Sequence, residues 1–78
     1  MKIRLKLAGP LRVPPEGRDV EWEGRKGTTV GTVLKRALGY SREEIGFIQV
    51  FSDGKVLRLD DRLDQDRELL VMLRLGGG

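Results

Sequence analysis

Apolar positions recur in this chain at two spacings. Between residues 2 and 8 they alternate with charge, Ile3, Leu5 and Leu7 on one side and Lys2, Arg4 and Lys6 on the other. That period of two is the pattern of a strand with one buried face. Gly9-Pro10 and Pro14-Pro15-Glu16-Gly17 interrupt it and make a connector too long for a tight hairpin. Alternation resumes over 19–23, with Val20 and Trp22 inward and Asp19, Glu21 and Glu23 outward. These outward acids complement the outward bases of the first strand, which predicts an antiparallel pair. After a turn at 24–27 the spacing changes to three and four at Val30, Val33, Leu34, Ala37 and Leu38, the stripe of an amphipathic helix. Thr28 or Thr29 can cap its start, and Gly39 stands where a left-handed stop is wanted. Ser41-Arg42-Glu43-Glu44 has capping-box spacing, but Gly46 limits any helix there to one turn. Residues 46–51 and 55–59 read as strands joined by an Asp53-Gly54 hairpin turn. Residues 60–66 are a polar loop anchored by Leu63, and 69–75 form the most hydrophobic strand, whose lack of alternation suits the middle of a sheet.

One main helix packed on one face of a mixed sheet of about five strands, with the last strand beside the first, is the predicted α+β arrangement. Its predicted core is Ile3, Leu5, Leu7, Val20, Trp22, Val33, Leu34, Leu38, Val50, Val71 and Leu73. If Val50, Val71 and Leu73 face the helix, then Phe47, Phe51, Leu70, Met72 and Arg74 face away. Phe51, Leu70 and Met72 would then form an exposed apolar cluster of the kind that marks a partner-binding face. A register slip of one residue would exchange the faces and make them core. Arg74 is either a solubilising residue or a cation for an acidic rim on a partner.

Composition narrows the chemistry. A chain of 78 residues holds one domain, expected to span 1–75, followed by a flexible glycine tail at 76–78. There is no Cys and no His, so thiol catalysis, cysteine metal sites and imidazole proton shuttling are all excluded. The domain is expected not to be an enzyme. Net charge is only +3 with signs interleaved, which suits an ion-paired surface better than a nucleic-acid-binding one. Asp60, Asp61, Asp64 and Asp66 miss the ligand spacing of a calcium loop, so no metal is expected. Adjacent Glu43 and Glu44 do not share a helix face as an acid–base pair would. "GFIQVF" at 46–51 has a faint likeness to an RNA-stacking strand, but the companion motif and second full helix are missing. No apolar run nears the roughly 18 residues of a membrane span, and the first residues do not form a signal peptide. A cytoplasmic location follows, with neither membrane nor nucleic acid as a partner.

The order of elements resembles the ubiquitin-like β-grasp fold. "GPLR" at 9–12 resembles the small subunits of molybdopterin synthase. "GTTVGTVLKRAL" at 27–38 resembles the capped helix those proteins share with the sulfur carriers of thiamine biosynthesis. "LDQDRELLVMLRLGGG" at 63–78 resembles their last turn, strand and glycine tail. The resemblance implies a carrier, at most the small subunit of a synthase, whose Gly78 carboxylate is adenylated by an E1-like adenylyltransferase. A sulfur donor of desulfurase or rhodanese type would then convert it to a thiocarboxylate for an acceptor synthase subunit. It also implies that no cofactor is bound and that ATP is used by the partner. Gly77 and Gly78 would carry the chemistry, and Gly76 would supply reach. Leu75 and Arg74 would stand at the partner's channel mouth, with Phe47, Phe51, Leu70 and Met72 as the docking face. Three glycines stand where two suffice, and Leu73-Arg74-Leu75 resembles the ending of ubiquitin itself, which implies a protein modifier joined to lysines as the alternative. An incidental tail on a plain interaction module is the third reading.

Overall fold

The computed structural model describes residues 1–74. The chain runs β1 (Lys2–Leu7), β2 (Asp19–Glu23), β3 (Thr28–Thr29), α1 (Val30–Leu38), α2 (Arg42–Ile45), β4 (Ile48–Ser52), β5 (Lys55–Leu57), β6 (Arg62–Leu63) and β7 (Arg67–Leu73). Five strands form one sheet in the order β2-β1-β7-β4-β5. The β1–β7 pair is parallel and the rest are antiparallel, so the most apolar strand is central, as its composition predicts. With α1 across one face, this is the β-grasp architecture.

Local chemistry fixes each boundary. The Thr29 side chain accepts from the Thr32 N–H and starts α1, and Gly39, at φ 69°, ends it by donating its N–H to the Lys35 carbonyl. Asp53 and Gly54, at φ 52° and 77°, supply the two positive angles that a tight right-twisted hairpin demands. Ser41 and Glu44 close a full capping box around the single turn of α2. Inward positions of the sheet meet the α1 stripe: Ile3, Leu5, Leu69, Val71, Val30, Val33 and Leu34 are all fully buried. The core of a domain this small is thin, so each of these side chains carries a large share of the stability.

Several expectations need correction. The third strand starts at Ile48, two residues late, because α2 runs through Ile45 and Gly46 caps it. The fourth strand ends at Leu57, and β7 begins at Arg67 and ends at Leu73; Leu75 lies outside the described residues. Trp22 is only half-buried, its indole lying over Gly24, where a Cβ would come within 2.0 Å of the ring. Leu73 is also only partly buried. Leu11, Val30, Tyr40, Ile45, Ile48, Leu63 and Leu69 join the core from outside the predicted list.

The two-residue ladder between β3 and β6 was not predicted. Around it, the Val30 N–H donates to the Asp61 carbonyl at 3.0 Å and the Gly31 N–H to the Leu59 carbonyl at 2.9 Å. The first-turn amides of a helix have no partners within the helix, and the 58–66 loop supplies them. Replacing Leu69, whose side chain is fully enclosed, by Ala should cost about 2–5 kcal/mol. Urea unfolding would read this as a large fall in midpoint with little change in slope.

Candidate functional site

The parallel β1–β7 pair places the start of the 8–18 connector beside the end of β7. The Ala8 N–H donates to the Val71 carbonyl at 2.9 Å. Because β4 runs antiparallel to β7, its first residue Ile48 pairs with Leu73, and the Arg74 N–H donates to the Phe47 carbonyl at 2.8 Å. Three segments distant in sequence, 10–12, 40–48 and 73–74, therefore meet where β7 leaves the sheet. Arg74 is exposed there. Leu75, Gly76, Gly77 and Gly78, the residues expected to carry the tail chemistry, lie outside the described residues.

The sheet face turned away from α1 divides lengthwise. Cross-strand register sets Lys6, Leu70, Phe51 and Val56 in one row and Met72 beside Gln49 in the next. Leu70 and Val56 are 40% and 55% exposed. Phe51, Leu70 and Met72 line an open depression of about 440 Å³ with Asp53, Gly54 and Glu68 at its margin. The β1–β2 half is ionic. Arg4 pairs with Asp19 at 3.7 Å and Glu21 at 3.3 Å, and Lys6 pairs with Glu68 at 3.8 Å. Exposed pairs of this kind add little stability, so their effect is to surround the apolar half with charge. The expected cluster thus comes together on one face, with Val56 as a member that sequence reasoning missed. A three-residue strand shows too little alternation to assign its parity.

Phe47 does not join that cluster. It lies just before β4, 69% exposed, at the rim of a separate groove of about 290 Å³ on the helix side of the sheet. Leu11, Tyr40, Ile48 and Leu73 form the floor. One wall is a closed set of contacts. Arg12 donates to both Glu44 oxygens, at 2.7 and 3.0 Å, and to the Gly39 carbonyl at 2.9 Å. Its guanidinium lies 5.0 Å from the Tyr40 ring centroid, and the Tyr40 hydroxyl donates to the Arg12 carbonyl. The only sequence signs of this cluster are a lone Tyr after a helix stop and a lone Leu amid prolines.

The same contacts set the local titration. Arg12 hydrogen bonds, then the Ser41 N–H, hold the Glu44 carboxyl at about 2 instead of the ordinary 4.5, while burial pushes the Tyr40 phenol up. The loop acids do not converge: Asp61 accepts from the Arg58 N–H across a turn, and Asp66 accepts from the backbone N–H of Lys2 at the start of β1. Among the described residues no three metal-capable side chains come together, and no helix is long and apolar enough to cross a membrane.

No family model matches the sequence, and no curated protein does. The crystal structure of SAMP1 from Haloferax volcanii is similar to this chain, with a TM-score of 0.71, 20% identity and full coverage of both chains. A likeness at that identity is one of fold.

A carboxyl whose folded pKa is depressed stabilises the fold above its unfolded value and loses that contribution as pH falls through the folded one. Glu44→Gln should therefore lower the urea midpoint near neutral pH, and its gap from the parent protein should close between pH 4.5 and about 2. A gap that stayed constant with pH would show that Glu44 acts only through its shape.

Proposed function

We propose that this domain is a sulfur carrier of the kind used in molybdopterin or thiamine-type biosynthesis, acted on by enzymes and not itself a catalyst. A carboxylate oxygen of Gly78 attacks the α-phosphorus of ATP on an E1-like partner, and pyrophosphate leaves. The outer sulfur of a persulfide on a donor of desulfurase or rhodanese type then attacks the acyl-adenylate carbonyl, and AMP leaves with the former carboxylate oxygen. A partner thiol attacks the donor's sulfur in the resulting acyl disulfide, the S–S bond breaks with formation of a disulfide between the thiol and the donor, and the end is released as a thiocarboxylate for an acceptor synthase subunit. The observation that carries this reading is the junction at Arg74. There the central, doubly paired strand leaves the sheet at an exposed position, and the sequence continues as Leu75-Gly76-Gly77-Gly78. Residues without a Cβ fit a narrow channel in which partner amides close on an extended backbone. A folded domain without Cys or His loses nothing by this chemistry, because the reacting group is a main-chain carboxylate.

The apolar half of the outer sheet face supports a docking role for Phe51, Leu70 and Met72. Leu70 is exposed, Phe51 and Met72 are half-buried beside it, and the three line one depression edged by Asp53 and Glu68, as in interfaces with an apolar centre and polar rim. The ubiquitin-like Leu73-Arg74-Leu75 ending favours, as a second reading, a modifier joined to lysines through Gly78.

The absence of Cys makes the carrier reading directly testable. A thiol-directed alkylating reagent applied to protein from its native host should label a single site at the C-terminus, located by fragment mass spectrometry. Labelling distinguishes sulfur from an oxidised methionine, which adds nearly the same mass, and the same spectrum reports whether Gly78 ends the mature chain. A ladder of lysine conjugates without label would favour the modifier, and neither product would favour an interaction module. Deleting Gly77 and Gly78 should leave the urea midpoint unchanged and abolish loading. Met72→Asp should keep the fold and weaken capture by the activating enzyme by about tenfold or more; an unfolded variant would instead place Met72 among the structural residues.

A further inference from the structure

The groove beside Phe47 differs in chemistry from the outer face. Its floor is apolar, and its charged lining is two guanidiniums, Arg12 and Arg74, and one carboxylate, Glu44. That carboxylate is already committed. Its Oε1 accepts from Arg12 Nη2 and the Ser41 N–H, and its Oε2 from Arg12 Nε. Arg12 turns Nε and Nη2 inward, and its Nη1 makes no hydrogen bond among the described residues. The Arg74 guanidinium takes part in no ion pair among the described residues, while its backbone is held to Phe47. A concave apolar surface bracketed by two cations with donors to spare is complementary to a ligand both apolar and anionic. Its volume of about 290 Å³ is at the low end for a ligand pocket, which fits an inserted side chain and not a large molecule.

We propose that this groove docks a short segment of a partner protein presenting one large apolar side chain flanked by Asp or Glu. The apolar side chain lies on Leu11, Tyr40 and Phe47, and the flanking carboxylates pair with Arg74 and with Nη1 of Arg12. The rigidity needed for such a site is present, because the Arg12–Glu44–Tyr40 contacts tie the connector to the helical side before any ligand arrives. The site does not depend on what the tail carries. It would serve a carrier, a modifier or an interaction module equally.

The test is an amide-shift titration of the isotope-labelled full chain with the peptide Gly-Glu-Asp-Leu-Phe-Asp-Glu-Gly, against a control peptide with Lys in place of each acid. Saturable shifts should be confined to residues 11–12, 40–48 and 73–74. The Lys peptide should bind about tenfold more weakly or not at all, and added salt should weaken the acidic one. Phe47→Ser and Arg74→Glu, both at exposed positions, should each raise the Kd by about tenfold while leaving the remaining spectrum in place. No saturable shift, equal binding of the two peptides, or shifts centred on Phe51, Leu70 and Met72 would overturn the proposal.

Discussion

The parallel pairing of β1 with β7 is the contact on which the rest of this molecule depends. It joins the two ends of the described chain through five register pairs, from Ile3 with Arg67 to Leu7 with Val71. Parallel strands need a crossover between them, and everything from the helix to the β4–β5 hairpin lies within that crossover. Closing so long a loop costs chain entropy before any contact repays it. The repayment comes from burial at the same place, since Ile3, Leu5, Leu69 and Val71 are fully buried in one cluster with Val30, Val33 and Leu34 of α1. The strand pair and the helix stripe are therefore one interaction, and neither would persist alone in a domain of this size.

The direction of that pair decides what surrounds the exit of β7. Had β7 run the other way, Arg74 would emerge beside the amino end of β1, far from the prolines. Run parallel, it emerges beside the connector, with the antiparallel β4 bringing Phe47 to the same end. Side-chain chemistry then finishes the arrangement. Arg12 spans from the connector to Gly39 and Glu44, so the loop that breaks the first strand becomes a wall of the groove. At the opposite end, carbonyls of the 58–66 loop occupy the free amides of α1.

Much of this was legible in the sequence because it rests on periodicity and local stops. The α1 stripe, Gly39, the Asp53-Gly54 turn, the central position of the last strand and the outward parity of Phe51, Leu70 and Met72 are all short-range signals. Others depend on distant partners and have no such signal. The β3–β6 ladder is two residues on each side, too short to show a period. Tyr40 and Leu11 are buried by each other's segments, 28 residues apart along the Tyr40–Arg12 bond. Phe47 shares sequence parity with Phe51, yet it stands before the strand starts, where parity no longer assigns a face. Lys6 chose Glu68 on β7 over the acids of β2, because a central strand offers partners on both sides and sequence spacing does not rank them. Gly76, Gly77 and Gly78 lie outside the described residues, and the role proposed for them rests on the sequence.

β7 also separates two surfaces of different character. Met72 lines the outer depression and the next residue, Leu73, lines the helix-side groove, since successive side chains of a strand point to opposite faces. A partner that encloses the chain beyond Arg74 from both sides therefore meets an apolar face edged with ion pairs on one side and a cationic apolar groove on the other. If the proposed chemistry takes place at the glycines, it uses a backbone group common to every protein, so discrimination among partners would fall to the side chains on either side of the exit. One enzyme could read the outer face and another the groove, each holding the same strand end, and the two would not compete for side chains because the two surfaces share none.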